Sequence, residues 1–143
     1  MTGARTANEA RVYHKLQLAA HLVKKAADRE MLTETGLSVS QVAVLNAVAA
    51  IDGATQRSVA ATLGINESAV TAMVRRLVEA GHVTRAQHDG RTRILELTAT
   101  GTAACRVASR AFRPVNAQFG EALTAGEAQN LADLLEAVIQ KFA

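Results

Sequence analysis

The sequence predicts a mainly helical protein that carries one small β-hairpin. Three observations support this fold class: amphipathic helical patterns occupy both ends of the chain, two short helical patterns meet at Gly64, and an Asp89-Gly90 pair separates two extended runs. The 143 residues are 49 % hydrophobic and 20 % charged, which suits one folded domain with its own core. We therefore expect residues 1–143 to form a single domain.

The amino-terminal part predicts two helices. Over residues 8–32, apolar side chains recur at alternating steps of four and three, which makes an amphipathic helix with a long apolar seam. Residues 38–41 read Ser-x-x-Gln, the pattern of a capping box, in which Gln41 reaches back to the backbone of Ser38. A second helix is therefore expected over residues 39–51.

The middle of the chain predicts a helix-turn-helix. This motif needs a small residue where the helices face each other, a glycine at a positive φ, and a branched aliphatic residue that packs the second helix against the first. Ala60, Gly64 and Val70 supply these residue types in that order. The accompanying core is expected from Leu63, Ile65, Met73, Val74 and Leu77.

A β-hairpin is predicted directly after the second helix of this motif. The extended stretches 82–87 and 92–98 flank Asp89-Gly90, and this pair predicts a type I′ turn in which both central residues have a positive φ. Such a hairpin is a wing, so residues 55–98 are predicted to form a winged helix-turn-helix. In this arrangement the second helix enters the major groove and the wing reaches the flanking backbone or minor groove.

The carboxyl-terminal part returns to helix. A helical pattern covers residues 99–120 with a kink expected at Pro114, and a Thr124–Glu127 capping box begins a last helix with a second apolar seam. The seams of the first and last helices need a partner that a chain this short can hardly supply internally. Residues 1–54 and 99–143 are therefore expected to form the dimerisation part of a homodimer.

The outward face of the second helix of the motif is the candidate surface for reading DNA. Asn66 is the expected N-cap, and a helix N-terminus suits a phosphate. Arg75 suits a bidentate contact to guanine, whereas Ser68 and Thr71 suit a thymine methyl group or a phosphate. Residues 55–98 also hold six arginines against four acidic residues. The candidate DNA-binding residues are Thr55, Arg57, Asn66, Ser68, Thr71, Ala72, Arg75, Arg85, Arg91 and Arg93.

Several stretches of the chain resemble the MarR family of bacterial transcriptional regulators. They are Leu37–Gln41, Ser68–Thr71, Arg76–Gly81, Arg85, Asp89, Arg91 and Leu97–Gly101. The resemblance implies a homodimer whose terminal helices interlock, two winged domains on a pseudo-palindromic operator, and often a small ligand that weakens DNA binding. The chain departs from the family pattern on the second helix at Ala72, where arginine is common, and at Arg75, where aspartate is common. The wing of the family usually carries Asp-Arg-Arg, whereas the wing of this chain is short and lacks the first of these arginines.

Other candidate sites give weaker signals. Tyr13, His14 and His21 are candidates for an effector pocket, and plain packing in a dimer interface explains them equally well. Cys105 lies on an apolar stripe, which favours an inert core thiol over a redox sensor. The usual catalytic and metal-binding motifs are absent from the sequence, so we expect no enzyme activity, no cofactor and no metal site.

The sequence therefore predicts a DNA-binding transcriptional regulator, a repressor, that binds double-stranded DNA as a homodimer and is a candidate for release by a small-molecule effector. With no signal-peptide pattern and one cysteine, it is expected in the cytoplasm and not at a membrane. The alternative is a helical dimeric module for ligands or proteins that has lost sequence-specific DNA binding. Ala72 and the low net charge of +3 favour that alternative.

Overall fold

The protein is described by a computed structural model that covers the backbone of residues 2–143 and the side chains of residues 9–87 and 89–143. Helices surround one two-stranded antiparallel sheet, as the sequence predicts. In chain order the elements are α1 (Thr2–Thr35), α2 (Val39–Ala50), α3 (Gln56–Leu63), α4 (Glu67–Glu79), β1 (Val83–Asp89), β2 (Thr92–Leu97), α5 (Ala99–Ala111), α6 (Arg113–Ala122) and α7 (Ala125–Phe142).

Helix α1 is longer than the predicted 8–32 and ends at Thr35, directly before Gly36, which has a φ of +73°. The predicted capping box then begins α2: the Gln41 N–H donates to Ser38 Oγ over 3.1 Å, and the Ser38 N–H donates to Gln41 Oε1 over 2.9 Å. Asp28 of α1 joins the two helices, because its Oδ1 accepts the N–H of Val39 in α2 at 2.8 Å. Its other oxygen, Oδ2, accepts from Lys24 Nζ of α1 at 2.7 Å. A carboxylate of α1 therefore caps the start of α2.

The hydrophobic core lies between α2, α3, α4, α5 and the hairpin, with Met31 of α1 inserted from one side. The helix-turn-helix packs as predicted, since Ala60 is 6 % and Val70 0 % exposed and Gly64 takes the left-handed conformation. Ile65 was expected in the core and is 40 % exposed. It lies in the turn between Gly64 and the first residue of α4, where no helical face directs it inward.

The hairpin pairs β1 with β2 from Val83 opposite Leu97 to Asp89 opposite Thr92. The two loop residues are Gly90 and Arg91, and the N–H of Arg91 donates to the carbonyl of Asp89. The expected type I′ turn is wrong, because Gly90 has a φ of +44° and Arg91 does not have a positive φ. Arginine disfavours that conformation and glycine adopts it freely, so only the first loop residue is left-handed.

We define the wing as the hairpin of residues 83–97. Helix α5 begins beside the base of this wing. Thr98 caps it by accepting the Gly101 N–H at 3.0 Å, and the Thr98 hydroxyl donates to the Gly81 carbonyl over 2.6 Å. A Cβ atom at Gly101 would lie 2.1 Å from the carbonyl oxygen of His82. The close approach of α5 to the wing therefore requires a glycine at this position.

The predicted kink near Pro114 is a complete break between α5 and α6. The break falls at Phe112, and Pro114 occupies the first turn of α6, where its missing N–H costs no helical hydrogen bond. The capping box at Thr124 and Glu127 begins α7 as predicted. None of the helices over residues 2–143 combines the length and apolar character that a membrane crossing demands.

Two helices leave large apolar surfaces uncovered. In α1 every described side chain from residue 9 to residue 22 is exposed, and α7 contributes no buried residue. Leu22 and Tyr13 of α1 are 54 % and 66 % exposed, and Leu134 and Phe142 of α7 are 57 % and 85 % exposed. Among the described residues, the α1 seam up to Leu22 and most of the α7 seam therefore have no partner within this chain, whereas Val23 and Ala26 of α1 are half-buried.

Candidate nucleic-acid interface

Helix α4 presents a continuous polar face to solvent. Ser68, Thr71, Ala72 and Arg75 are all exposed, whereas Val70 and Val74 are buried against the core. The helical period places the first group on one side of α4 and the second on the other, as the sequence predicts. Within the described chain, Gln56 of α3 contacts Thr71 at one edge of this face, and the face remains exposed, so it is accessible to a groove of a duplex.

The N-terminus of α4 is open. Asn66 occupies the N-cap position, but its side chain makes no capping hydrogen bond. The first backbone N–H groups of α4 are therefore not satisfied by this side chain, and together with the helix dipole they suit an anionic oxygen. Glu67 at the first helical position places a carboxylate beside them.

An open cleft of about 540 Å³ lies between the end of α2, the loop that follows it, β2 and the start of α5. A second cleft, of about 440 Å³, lies between α3, α4 and the wing. The second cleft is the one relevant to DNA, because it joins three of the predicted arginines. It is lined by Thr55, Gln56, Arg57, Glu67, Arg91, Thr92, Arg93 and Leu95. Within the described part of the chain, no ion pair engages Arg57, Arg91 or Arg93, so their guanidinium groups are available for phosphates.

Two of the predicted DNA-binding residues have structural roles in addition. Thr55 is the N-cap of α3, and its Oγ1 accepts the Ser58 N–H at 3.1 Å. Arg85 lies opposite Leu95 in the hairpin, on the face that also carries buried Val83, and it is only half-exposed. Its Nε is buried and has no hydrogen-bond partner among the described groups. Arg85 therefore lies deeper in the wing than Arg91 and Arg93.

Gln56 is the site residue that the sequence reasoning missed. It begins α3, and its side-chain amide meets Thr71 of α4, with 2.8 Å between Gln56 Oε1 and Thr71 Oγ1. The two residues are 15 positions apart, and only the folded helix-turn-helix brings them together. A polar residue at the start of the first helix of the motif is the only sequence signal that pointed to it.

The candidate effector residues lie on the uncovered part of α1. Tyr13 Oη accepts from Gln17 Nε2 at 3.0 Å, and His14 is exposed. His21 borders a shallow depression of about 240 Å³ with Lys24, Lys25 and Asp28. These three residues do not share a cavity within the described protomer, so a pocket that includes all of them needs a second chain.

The pKa values of Cys105 and Asp28 are shifted by their surroundings. Partial burial raises the pKa of the Cys105 thiol. For Asp28, burial acts against ionisation, but the hydrogen bonds from Lys24 and Val39 and the charge of Lys24 outweigh it and lower the pKa. Among the described side chains, no group of three His, Cys, Asp or Glu residues is arranged to hold a metal ion.

The fold and this surface together define a winged helix-turn-helix protein. A family model described as the MarR family matches residues 35–92, which include α2, the helix-turn-helix and the wing tip. The sequence comparison with curated proteins found no match. The resemblance to the MarR family that the sequence indicates is confirmed, because the family model matches this segment and the family's fold extends over nearly the whole chain.

Three solved structures illustrate this similarity. The PcaV transcriptional regulator from Streptomyces coelicolor, in complex with its natural ligand, is 28 % identical; 94 % of this chain and 93 % of that chain align, with a TM-score of 0.74. A MarR mutant from E. coli, complexed with operator DNA, is 26 % identical over 86 % and 92 % of the chains, with a TM-score of 0.73. The MepR–DNA complex of S. aureus, 20 % identical over 91 % and 96 %, has a TM-score of 0.81 and shows the fold alone.

Proposed function

We propose that the protein is a transcriptional regulator that binds a pseudo-palindromic DNA operator as a homodimer and represses transcription from it. The observation that carries this proposal is the joint position of the exposed α4 face and the arginines of the neighbouring cleft. Ser68, Thr71 and Arg75 line one side of α4, and Arg57 and Arg91 flank its N-terminal end. Base-reading groups therefore lie beside phosphate-binding groups, as groove recognition requires.

The dimer is supported by the uncovered surfaces of α1 and α7. An apolar side chain of leucine size contributes about 1.5–3 kcal/mol when it is fully buried, so several such residues on each helix favour association strongly. Two-fold symmetry would present two α4 helices to one duplex, with half-sites about one helical turn apart. In this proposal residues 55–98 bind DNA, and residues 1–54 and 99–143 form the dimerisation part.

The solved structures of similar fold support DNA binding and a role for a small effector. Two of them are complexes with DNA, and two hold small molecules, the natural ligand of PcaV and p-coumaroyl-CoA in CouR from Rhodococcus jostii RHA1. We extend this to the present chain as release from DNA by an effector bound near Tyr13, His14 and His21. The proposal places the protein in the cytoplasm, where its DNA is.

The test is DNA binding measured by fluorescence anisotropy on duplexes that the wild-type protein selects from a randomised pool. We expect enrichment of a two-fold symmetric sequence and submicromolar, salt-sensitive binding. Arg91→Ala should weaken binding to all duplexes and reduce the salt slope by about one unit, whereas Arg75→Ala should change the preferred bases. Equal effects of both variants on every duplex would contradict this division of roles.

The alternative is a dimeric module that has lost sequence-specific DNA binding. The observation that favours it is Ala72, an exposed residue of α4 without any hydrogen-bonding side-chain group. A folded dimer that shows no binding to any duplex at low salt would support this alternative. Binding of all duplexes with equal affinity would equally exclude an operator-specific regulator.

A further inference from the structure

The hydroxyl group of Thr71 has two acceptors within hydrogen-bond distance. Its Oγ1 lies 2.8 Å from Gln56 Oε1 and 2.9 Å from the backbone carbonyl oxygen of Glu67. A threonine hydroxyl carries one proton, so it cannot donate fully to both oxygens. The arrangement is satisfied only if one of the two neighbours acts as a donor instead.

The donor must be Gln56. A backbone carbonyl can only accept, whereas the two ends of a glutamine amide have nearly the same shape and are assigned from their hydrogen bonds. With the Gln56 amide turned so that Nε2 faces Thr71, Nε2 donates to Oγ1 and the Thr71 hydroxyl donates to the Glu67 carbonyl. Every group at this contact is then satisfied.

This hydrogen bonding decides what Thr71 offers to DNA. Its only proton is used within the protein, and phosphate oxygens accept hydrogen bonds but do not donate them, so Thr71 has no donor for the backbone of a duplex. The side chain then offers a duplex one free lone pair on Oγ1, which no group of thymine's major-groove edge can donate to, and the γ-methyl group. Threonine methyl groups contact the C5-methyl group of thymine in the major groove.

We propose that Gln56 is a specificity-determining positioning residue, which holds the Thr71 side chain so that Thr71 reads thymine through its methyl group. This inference rests on the proposed function. Gln56 is half-buried at the edge of the cleft that holds Arg57 and Arg91, so α3 links the phosphate-binding side of the interface to the base-reading face of α4. Loss of the Gln56 amide frees the Thr71 hydroxyl to rotate and displaces the methyl group.

The experiment uses the full-length protein and the duplex selected by the wild type from the randomised pool. Each thymine of one half-site, and its symmetry mate, is replaced in turn by deoxyuridine, which lacks only the C5-methyl group. At one thymine we expect the wild type to lose affinity about fourfold per half-site, the value of one buried methyl group. Thr71→Ser keeps the hydroxyl group that contacts Gln56 but lacks the methyl group, so it should abolish this loss.

Gln56→Ala should at least halve the deoxyuridine effect while the melting temperature stays within 2 °C of wild type, an allowance of about 0.5 kcal/mol for a surface substitution. Gln129→Ala is the matched control, because Gln129 is an exposed glutamine of α7 bonded to Asp133. A full deoxyuridine effect in Thr71→Ser or in Gln56→Ala would overturn the inference while leaving the regulator intact. If the wild type selects no sequence, the proposed function fails and this inference fails with it.

Discussion

Substitution of Gly101 by alanine tests how closely α5 and the wing must approach. An added Cβ atom would lie 2.1 Å from the His82 carbonyl oxygen and 3.1 Å from the His82 carbonyl carbon, both of which are backbone atoms. Because no flexible side-chain end is involved, α5 or the start of β1 must move by about 1 Å to restore ordinary contact distances. That movement strains the hydrogen bond from the Thr98 N–H to the His82 carbonyl, now 3.0 Å long.

The expected destabilisation follows from three contributions. Overpacking of this kind costs about 1–3 kcal/mol, weakening of the Thr98 cap adds about 1 kcal/mol, and the higher helix propensity of alanine offsets about 1 kcal/mol. We therefore expect Gly101→Ala to lower the free energy of unfolding by about 1–3 kcal/mol, or to lower Tm by about 3–12 °C for a chain of this size. Urea and thermal denaturation at one fixed protein concentration provide the measurement, since the concentration affects the stability of an oligomer.

Gly126→Ala is the control for this prediction. Gly126 lies in the first turn of α7, and nothing lies within 4 Å of a Cβ atom added there. Alanine favours helix over glycine by about 1 kcal/mol, so this variant should be as stable as the wild type or slightly more stable. A Gly101→Ala protein within about 0.5 kcal/mol of wild type would refute the reasoning, because the backbone would then tolerate the contact without loss.

Three further predictions concern single groups. Asp28→Asn should cost about 1 kcal/mol at pH 7 in urea denaturation. This difference in the free energy of unfolding should vanish as pH falls through the lowered pKa of Asp28, because a carboxylate with a depressed folded-state pKa stabilises the fold only while it is ionised. An unchanged difference at pH 2 would contradict this prediction. Cys105 should react slowly with a thiol reagent at pH 7 in the folded protein and fast in urea, because burial raises its pKa; equal rates would reveal an accessible thiolate. Glu67→Gln should raise the affinity for every duplex by about threefold to tenfold at low salt, because the Glu67 carboxylate shares a cleft with Arg57 and Arg91 and repels phosphates. A loss of affinity in anisotropy assays would show instead that this carboxylate contacts a base.

Local patterns predict most of the fold because their physical causes lie within a few residues. The capping boxes at Ser38 and Thr124, the left-handed Gly64 and the two strands around the hairpin loop each depend on neighbours in sequence, and each was predicted correctly. The turn type was wrong for a related reason. Asp89-Gly90 favours a type I′ turn, but the strand pairing places Gly90 and Arg91 in the loop, and pairing is decided by the register of the whole hairpin.

The sequence indicated candidate residues on α3, α4 and the wing, but it did not indicate the contacts between these elements. The helical period assigns Ser68, Thr71 and Arg75 to one exposed face without any knowledge of the fold. The contact between Gln56 and Thr71 joins two helices, and no periodicity within either helix reveals it. The burial of the Arg85 Nε atom also depends on the packing of the wing, which composition and spacing do not describe.

The uneven distribution of buried surface determines which segments of the protein unfold first. The unit made of α2 to α5, together with Met31 of α1, encloses the core, whereas α7 and residues 9–22 of α1 contribute no buried side chain. Local unfolding free energies follow the burial that each segment has, so amide hydrogens of an isolated chain exchange early at both ends and late around Leu45 and Leu77. An isolated chain therefore unfolds first along α7 and the exposed part of α1, while its central unit persists.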